Sequence, residues 1–234
     1  MAKTLLYIGG FELPDKNAAA HRVLAISKAL RDIGFNVILV GVTKSSKYKS
    51  ILDSKKNVQG FVSYEILYPK GKKEWIKYLT STNEIKQIIS SFPKIDGIIC
   101  YNYQAVAFEK LRLLCKRKGI KIYADCTEWY NTEGASPLFK LLKGFDTWFR
   151  MRVIQKKLDG LILISEYLKN YYKNCKNVII IPPLVDITEE KWYLKPERLA
   201  DGINFVYTGK PGNKDKIAYI IEETREAMKR HLCN

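Results

Sequence analysis

The chain is predicted to be an α/β protein with a doubly wound parallel sheet, followed by an incomplete second α/β domain. Three observations carry this expectation. Short β-rich runs alternate with amphipathic helical stretches along most of the 234 residues, the order in which parallel strands are joined by crossover helices. Several strand runs are apolar without interruption, such as Gly97-Ile98-Ile99-Cys100 and Leu161-Ile162-Leu163-Ile164, as expected where helices cover both faces of a sheet. After a charged, proline-containing stretch, one further strand, loop and helix follow over residues 203–230, which reads as the first step of a second domain. Residues 1–186 are thus expected to form the first domain, 187–202 a linker, and 203–234 the incomplete start of the second.

Strands are expected at residues 4–8, 36–42, 62–67, 95–101, 120–124, 160–164 and 178–181. The first helix follows from Val23, Ile26, Leu30 and Ile33, whose spacing places them on one stripe of a 3.6-residue period. Asp15 or Asn17 can cap its start and Gly34 can end it. Further helices are expected at about 75–90, 105–118, 137–158, 166–173 and 216–230. Between Pro182 and Gly202 the periodicity breaks into Pro182-Pro183-Leu184-Val185-Asp186 and a charged stretch, the composition of an interdomain linker.

Composition narrows the classes of function. Forty Lys and Arg against 24 Asp and Glu give a net charge of +16, a surplus that attracts anionic partners such as nucleic acid, anionic lipid or phosphorylated substrates. The cations are scattered, and no zinc knuckle, aromatic RNA-binding motif or helix-turn-helix spacing accompanies them, so nucleic acid is not the expected partner. Five cysteines with no C-x-x-C pair argue against a disulfide framework and a zinc site, and for a reducing cytoplasm. The apolar run ending at Gly9-Gly10 is too short for a signal sequence, and no stretch approaches the length of a membrane span. Any membrane contact is therefore expected to be peripheral, at the inner face.

Candidate site residues cluster at strand ends. Gly9 and Gly10 close the first strand ahead of a helix, where free N–H groups can meet a phosphate; a tight turn that needs glycine is the alternative. His21 lies in the first turn of that helix and can either reach a substrate or remain solvated. Asp125-Cys126-Thr127-Glu128-Trp129-Tyr130 begins at the carboxyl end of a strand, the edge where open α/β sheets bind ligands. Two carboxylates with two aromatic rings suit a hydroxyl-rich acceptor; capping by Asp125 or Thr127 and a core role for Trp129 are the alternative. Tyr101 and Tyr103 end a neighbouring strand on the same edge, as cleft residues or as core. The 138–158 stretch mixes Leu, Phe and Trp with Lys and Arg, as in a helix lying on an anionic membrane or in a core helix with a solvated face. Near the C-terminus, Lys210 and Lys214 flank a Pro-Gly turn after an apolar strand, where they can meet a diphosphate.

In this order the residues resemble the N-terminal half of a family 4 glycosyltransferase of the GT-B fold. The resemblance rests on Tyr7-Ile8-Gly9-Gly10, on Ala20-His21-Arg22 leading into residues 30–37, on Asp159 through Ser165, on 177–186, and on Tyr207-Thr208-Gly209-Lys210 with Lys214. It implies a Rossmann-like acceptor-side domain, then the start of a nucleotide-sugar domain, and metal-independent transfer of a hexose with retention of configuration. The donor is a UDP- or GDP-linked sugar, no cofactor or metal is implied, and the acceptor is a glycan or a lipid-linked sugar of cell-surface polysaccharide synthesis. Gly9, Gly10, Gly209, Lys210 and Lys214 then hold the donor phosphates. His21, Asp125 and Glu128 form the polar catalytic set, and Tyr101, Tyr103, Trp129 and Tyr130 bind acceptor. Departures from the family pattern are Asn17-Ala18-Ala19 in place of paired glycines, Lys210 in place of the commoner arginine, and the lack of the C-terminal domain's Glu-x7-Glu element, since Glu189 and Glu197 have that spacing but lie in the linker with Pro196. The chain is accordingly expected to be truncated and weakly active or inactive alone. It completes itself with a C-terminal chain or a second copy, or it serves as a non-catalytic acceptor- or partner-binding half.

Overall fold

A computed structural model describes residues 2–45, 48–127, 137–184, 186–190, 193, 206–208 and 216–232. The chain divides into two compact units, Met1–Ile187 and Thr188–Asn234. The first unit holds an eight-stranded sheet in the order β3-β4-β2-β1-β5-β6-β7-β8. Its strands are β1 Thr4–Gly9, β2 Asn36–Thr43, β3 Lys56–Val58, β4 Phe61–Leu67, β5 Gly97–Tyr101, β6 Lys121–Cys126, β7 Gly160–Leu163 and β8 Val178–Ile180. Among the described residues all pairings are parallel except that of β3 with β4. The short β3, which the apolar pattern does not reveal, adds an antiparallel edge strand through the tight turn at Gln59 and Gly60, both with positive φ.

The doubly wound character follows from side-chain alternation. Leu6 and Ile8 of β1 enter one core cluster with Ile38, Ile98, Phe108 and Leu111, while Leu5 and Tyr7 enter a second with Val23, Ile26 and Leu39. Period-two alternation sends successive β1 residues to opposite faces, and both faces are apolar because each is covered.

Helices α1 Ala18–Asp32, α2 Lys72–Thr80, α3 Asn83–Ser91, α4 Ala105–Lys118, α5 Pro137–Phe149 and α6 Glu166–Tyr171 lie in the first unit. Asn17 caps α1, its side chain accepting from the Ala20 N–H at 2.9 Å. Gly34, with φ of +93°, closes α1, with bonds from the Gly34 N–H to Arg31 O (2.9 Å) and from the Phe35 N–H to Leu30 O (3.0 Å). This ending removes Ile33 from the expected stripe: it is 71% exposed, while Val23 and Ile26 are buried.

The single helix expected over 75–90 is instead two, α2 and α3. Thr80-Ser81-Thr82-Asn83 supplies four side chains that compete for backbone bonds; the Thr80 hydroxyl donates to Ile76 O, and Ser81 Oγ accepts from the Asn83 N–H. Helix α3 buries Ile85, Ile88 and Ile89, whereas α2 has no buried residue. The helix expected over 137–158 ends at Phe149 and continues as a π turn at Arg150–Ile154 and a 3-10 turn at Gln155–Lys157. Buried Gln155 donates to Cys126 Sγ at 3.1 Å and accepts from the Tyr172 hydroxyl at 2.5 Å, fixing this segment to β6 and the end of α6. In the second unit, Val206–Thr208 are assigned to no strand, the remainder of the strand expected after residue 203 lies outside the described residues, and α7 spans Ile217–Leu232. Among the described residues no helix is long and apolar enough to cross a membrane.

Candidate functional site

Strand order reverses between β1 and β5, since the chain first builds outward through β2 and β4 and then returns to the other side of β1. Carboxyl ends at such a reversal point leave a crevice that crossover loops cannot fill. The residues there are Gly9, the last of β1, with Gly10 after it, and Tyr101, the last of β5, with Asn102 and Tyr103 after it. Gly9 pairs with Tyr101, and a Cβ on Gly9 would lie 2.6 Å from Tyr101 O. Glycine is therefore required at this position by close strand approach. Gly10 is exposed, and a Cβ there would meet only the Tyr78 hydroxyl, at 3.9 Å.

Beside this loop a cleft of about 410 Å³ opens over the carboxyl ends of β2 and β4, with Gly9, Lys44, Glu65, Tyr68, Tyr78 and Tyr103 in its wall. Its aromatic side is braced from behind by Trp75 of α2, whose ring packs edge-on against Tyr68 at 5.5 Å and Tyr78 at 5.9 Å. Lys44 pairs with Glu12 at 2.8 Å and lies over the Tyr68 ring at 5.4 Å. Glu65 is 7% exposed and pairs with Lys56 at 2.5 Å; Glu84 pairs with Lys77 at 2.8 Å. Burial pushes the Tyr78 phenol up to about 12, so it stays protonated and able to donate at neutral pH. Aromatic faces, paired carboxylates, ammonium groups and a phenol in a pocket of this size form a wall suited to a hydroxyl-rich ligand.

On the β5–β6 side of the edge, Asn102 holds a positive φ of 41°. This conformation is uncommon for a side chain with a Cβ and is tolerated best by Asn. Its amide donates to Thr127 Oγ1 at 2.7 Å and accepts from the Thr127 N–H at 3.3 Å, and the Thr127 hydroxyl donates to Tyr101 at 3.2 Å. The bonding ties the two strand ends together beside the glycine loop.

Asp125 does not line the cleft. Its carboxylate is fully buried, receives the Arg22 guanidinium at 2.8 to 3.1 Å through Nε and Nη2, and accepts from the Tyr7 hydroxyl at 2.5 Å. Arg22 also donates through Nη1 to the carbonyls of Ile181 (2.9 Å) and Pro182 (3.1 Å). One buried cation thus joins α1, β6 and the segment after β8. Burial raises the Asp125 carboxyl above its ordinary value, against the pull of Arg22 and Tyr7. Both Asp125 carboxylate oxygens are taken up inside the fold by Arg22 and Tyr7. Position in sequence placed it rightly at a strand's carboxyl end, but depth was set by Arg22, distant in the chain.

His21 is exposed on α1 and is not part of the cleft wall. Tyr103 is buried and lines the cleft, while Tyr101 is buried beneath Gly9 and Thr127. Glu128, Trp129, Tyr130, Gly209, Lys210 and Lys214 lie outside the described residues. Sequence reasoning missed Lys44, Tyr68 and Tyr78, although Lys44 and Tyr68 directly follow β2 and β4 and the strand-end rule reaches them. Among the described residues no cluster of His, Cys, Asp or Glu could hold a metal ion.

No protein family matches the chain, and no curated protein matches it. Among solved structures the chain is similar to the catalytic domain of starch synthase IV from Arabidopsis thaliana bound to ADP and acarbose, with a TM-score of 0.54, 13% identity, and coverage of 80% of this chain and 52% of that one. A weaker likeness, with a TM-score of 0.47 and 13% identity over 80% of this chain and 50% of the other, is to Arabidopsis thaliana UGT89C1 complexed with UDP-L-rhamnose. The chain spans about half the length of these structures. The first likeness shows the fold alone, a mostly parallel, Rossmann-like α/β sheet of the GT-B type.

Proposed function

We propose that the chain is the acceptor-side part of a glycosyltransferase that moves a hexose from a UDP- or GDP-linked sugar to a glycan or lipid-linked acceptor. The observation that carries this reading is the cleft beside Gly9 and Gly10, with Tyr68, Tyr78 and Tyr103 in its wall at the carboxyl edge of the sheet. An acceptor ring packs on the tyrosine faces, its hydroxyls bond to Tyr78 and to the carboxylates of Glu65 and Glu84, and one hydroxyl points toward the glycine loop. Starch synthase IV, of similar fold, was solved with ADP and acarbose, a nucleotide and a saccharide together.

In the reaction the acceptor oxygen forms a bond to the anomeric carbon as the sugar–phosphate bond breaks. The bonding electrons leave with the nucleoside diphosphate, and the acceptor proton passes to the departing phosphate. Such a transfer needs donors placed where negative charge grows. The exposed Gly10 beside the cleft leaves room for a diphosphate to approach the backbone; the donor-phosphate role of Gly209, Lys210 and Lys214 rests on the sequence resemblance alone. Retention of configuration and independence of metal belong to the same reading.

The test is a thermal-melting series with UDP, GDP, their sugar conjugates and inorganic phosphate. A ligand that binds the folded state raises its stability by mass action. The expected result is a rise specific to one nucleotide, lost when Lys210→Ala and Lys214→Ala are combined. A response equal to that of inorganic phosphate contradicts the donor assignment.

A further inference from the structure

Helix α5 carries an apolar face that the rest of the first unit leaves in solvent. Leu141, Phe145 and Trp148 recur at four and three residues and are 71%, 53% and 49% exposed, with Leu142 beside them at 61%. Stripes of this kind normally turn inward, and a contiguous exposed one marks a contact surface. The rings of Phe145 and Trp148 lie 6.2 Å apart, so the stripe already presents a packed aromatic surface. Exposed Lys140 borders it. Helices α5 and α2 both pack against α4, and α2, with no buried residue, adds Ile76 at 64% exposure and the exposed Lys72 and Lys73.

The geometry points to docking of this α5 face onto an anionic lipid bilayer, with the leucine, phenylalanine and tryptophan side chains entering the headgroup–acyl boundary and the lysines meeting lipid phosphates. Leu, Phe and Trp on one face of a helix bordered by lysine is the pattern of a helix that lies in a membrane interface, and indole prefers that boundary. The net charge of +16 complements anionic lipid and strengthens binding with each cation near the surface. The same charge disfavours a second copy of the chain. Nucleic acid would stack on the rings but leave the exposed Leu141 and Leu142 without an apolar partner. The docking does not depend on sugar transfer, although it would carry the cleft to a lipid-linked acceptor.

The full chain is tested by flotation with vesicles of phosphatidylcholine alone and of phosphatidylcholine with phosphatidylglycerol. Binding to the anionic vesicles is expected, weakening as salt rises, and falling roughly tenfold or more in the double variant Leu141→Glu with Phe145→Glu. Circular dichroism checks that this variant folds. Leu141→Ser with Phe145→Ser gives a milder second test, and Ile33→Glu, at a 71% exposed position on α1, should bind like the parent. Blue-shifted tryptophan emission on anionic vesicles, reduced in Trp148→Phe, locates the contact. Absence of vesicle binding, equal binding by parent and both double variants, retention on RNA without vesicle binding, or self-association abolished by the same variants would each overturn the proposal. Nucleotide-induced melting shifts are read separately, so failure here leaves the transferase reading standing or falling on its own test.

Discussion

Two polar systems sit on the carboxyl edge of the same sheet and do opposite things. Beneath β6, Tyr7, Asp125 and Arg22 form a network with side chains at most 5% exposed, saturated by hydrogen bonds to one another and to Ile181 and Pro182. Over β2 and β4, Lys44, Tyr68 and Tyr78 line an open cleft. Being at a strand's carboxyl end therefore does not make a residue a ligand group. The buried system holds the scaffold, because an ion pair inside the protein is tolerated only when its hydrogen bonds are complete. The open system has capacity left over for a ligand.

The largest expected effect tests the buried side of this contrast. Arg22→Ala leaves the Asp125 carboxylate buried beside Tyr7 without its cation, a change that costs about 3–5 kcal/mol. Urea denaturation should show this as a lower midpoint with an unchanged slope; a loss below about 1 kcal/mol would mean that the network is not structural. Next in size are the two adjacent glycines. Gly9→Ala forces a Cβ to within 2.6 Å of Tyr101 O and should destabilise by about 1–3 kcal/mol, whereas Gly10→Ala, with its nearest neighbour at 3.9 Å, should stay within about 0.5 kcal/mol. Equal losses at both positions would erase the distinction between packing and cleft.

Tyr68→Ala should invert the Arg22 pattern. Its ring is half-buried in the cleft wall, so stability should change by about 1 kcal/mol while saccharide affinity falls roughly tenfold, the worth of one aromatic face. Calorimetric unfolding and a saccharide titration on the same sample measure both.

The smallest effect concerns the opposite, amino-terminal edge. Asp159 accepts from the Ile122 N–H at 2.9 Å and from Lys121 at 2.7 Å, and Asp96 accepts from the Thr4 N–H at 2.8 Å. Against some opposition from burial, Lys121 and the Ile122 N–H hold Asp159 below its ordinary 3.8, and Lys94 with the Thr4 N–H does the same for Asp96. A depressed carboxyl contributes stability above its unfolded value and loses it as pH falls through the folded value. The melting temperature should therefore drop as pH falls below about 4, less steeply in Asp159→Asn. An unchanged slope in the variant would remove Asp159 from the acid response.

Much of the fold was legible because it rests on local signals. Asn17 and Gly34 mark the ends of α1, Gly119 with φ of +68° closes α4, and the apolar runs of β5 and β7 are read directly. The break between α2 and α3 was not, because Ser and Thr interrupt a helix only when their side chains find backbone partners, which a sequence pattern does not display. The edge strand β3 lacks an apolar run of its own. In the site, Gly9, Gly10 and Tyr103 were found through the strand-end rule. The same rule brought in Asp125, whose depth depends on Arg22 a hundred positions away in the chain. The rule reaches Tyr68 but not Tyr78, which lies on α2 and joins the same wall through ring contacts with Tyr68 and Trp75.

The measurement that bears most directly on the cleft as the acceptor site is ligand-detected NMR of a panel of methyl glycosides and short oligosaccharides against the parent chain, Tyr68→Ala and Arg22→Lys. Saturation transfer to at least one saccharide is expected, strongly reduced in Tyr68→Ala and kept in Arg22→Lys, which preserves the buried cation. Transfer unaffected by Tyr68→Ala, or no transfer from a folded parent to any saccharide in the panel, would contradict the acceptor-site reading.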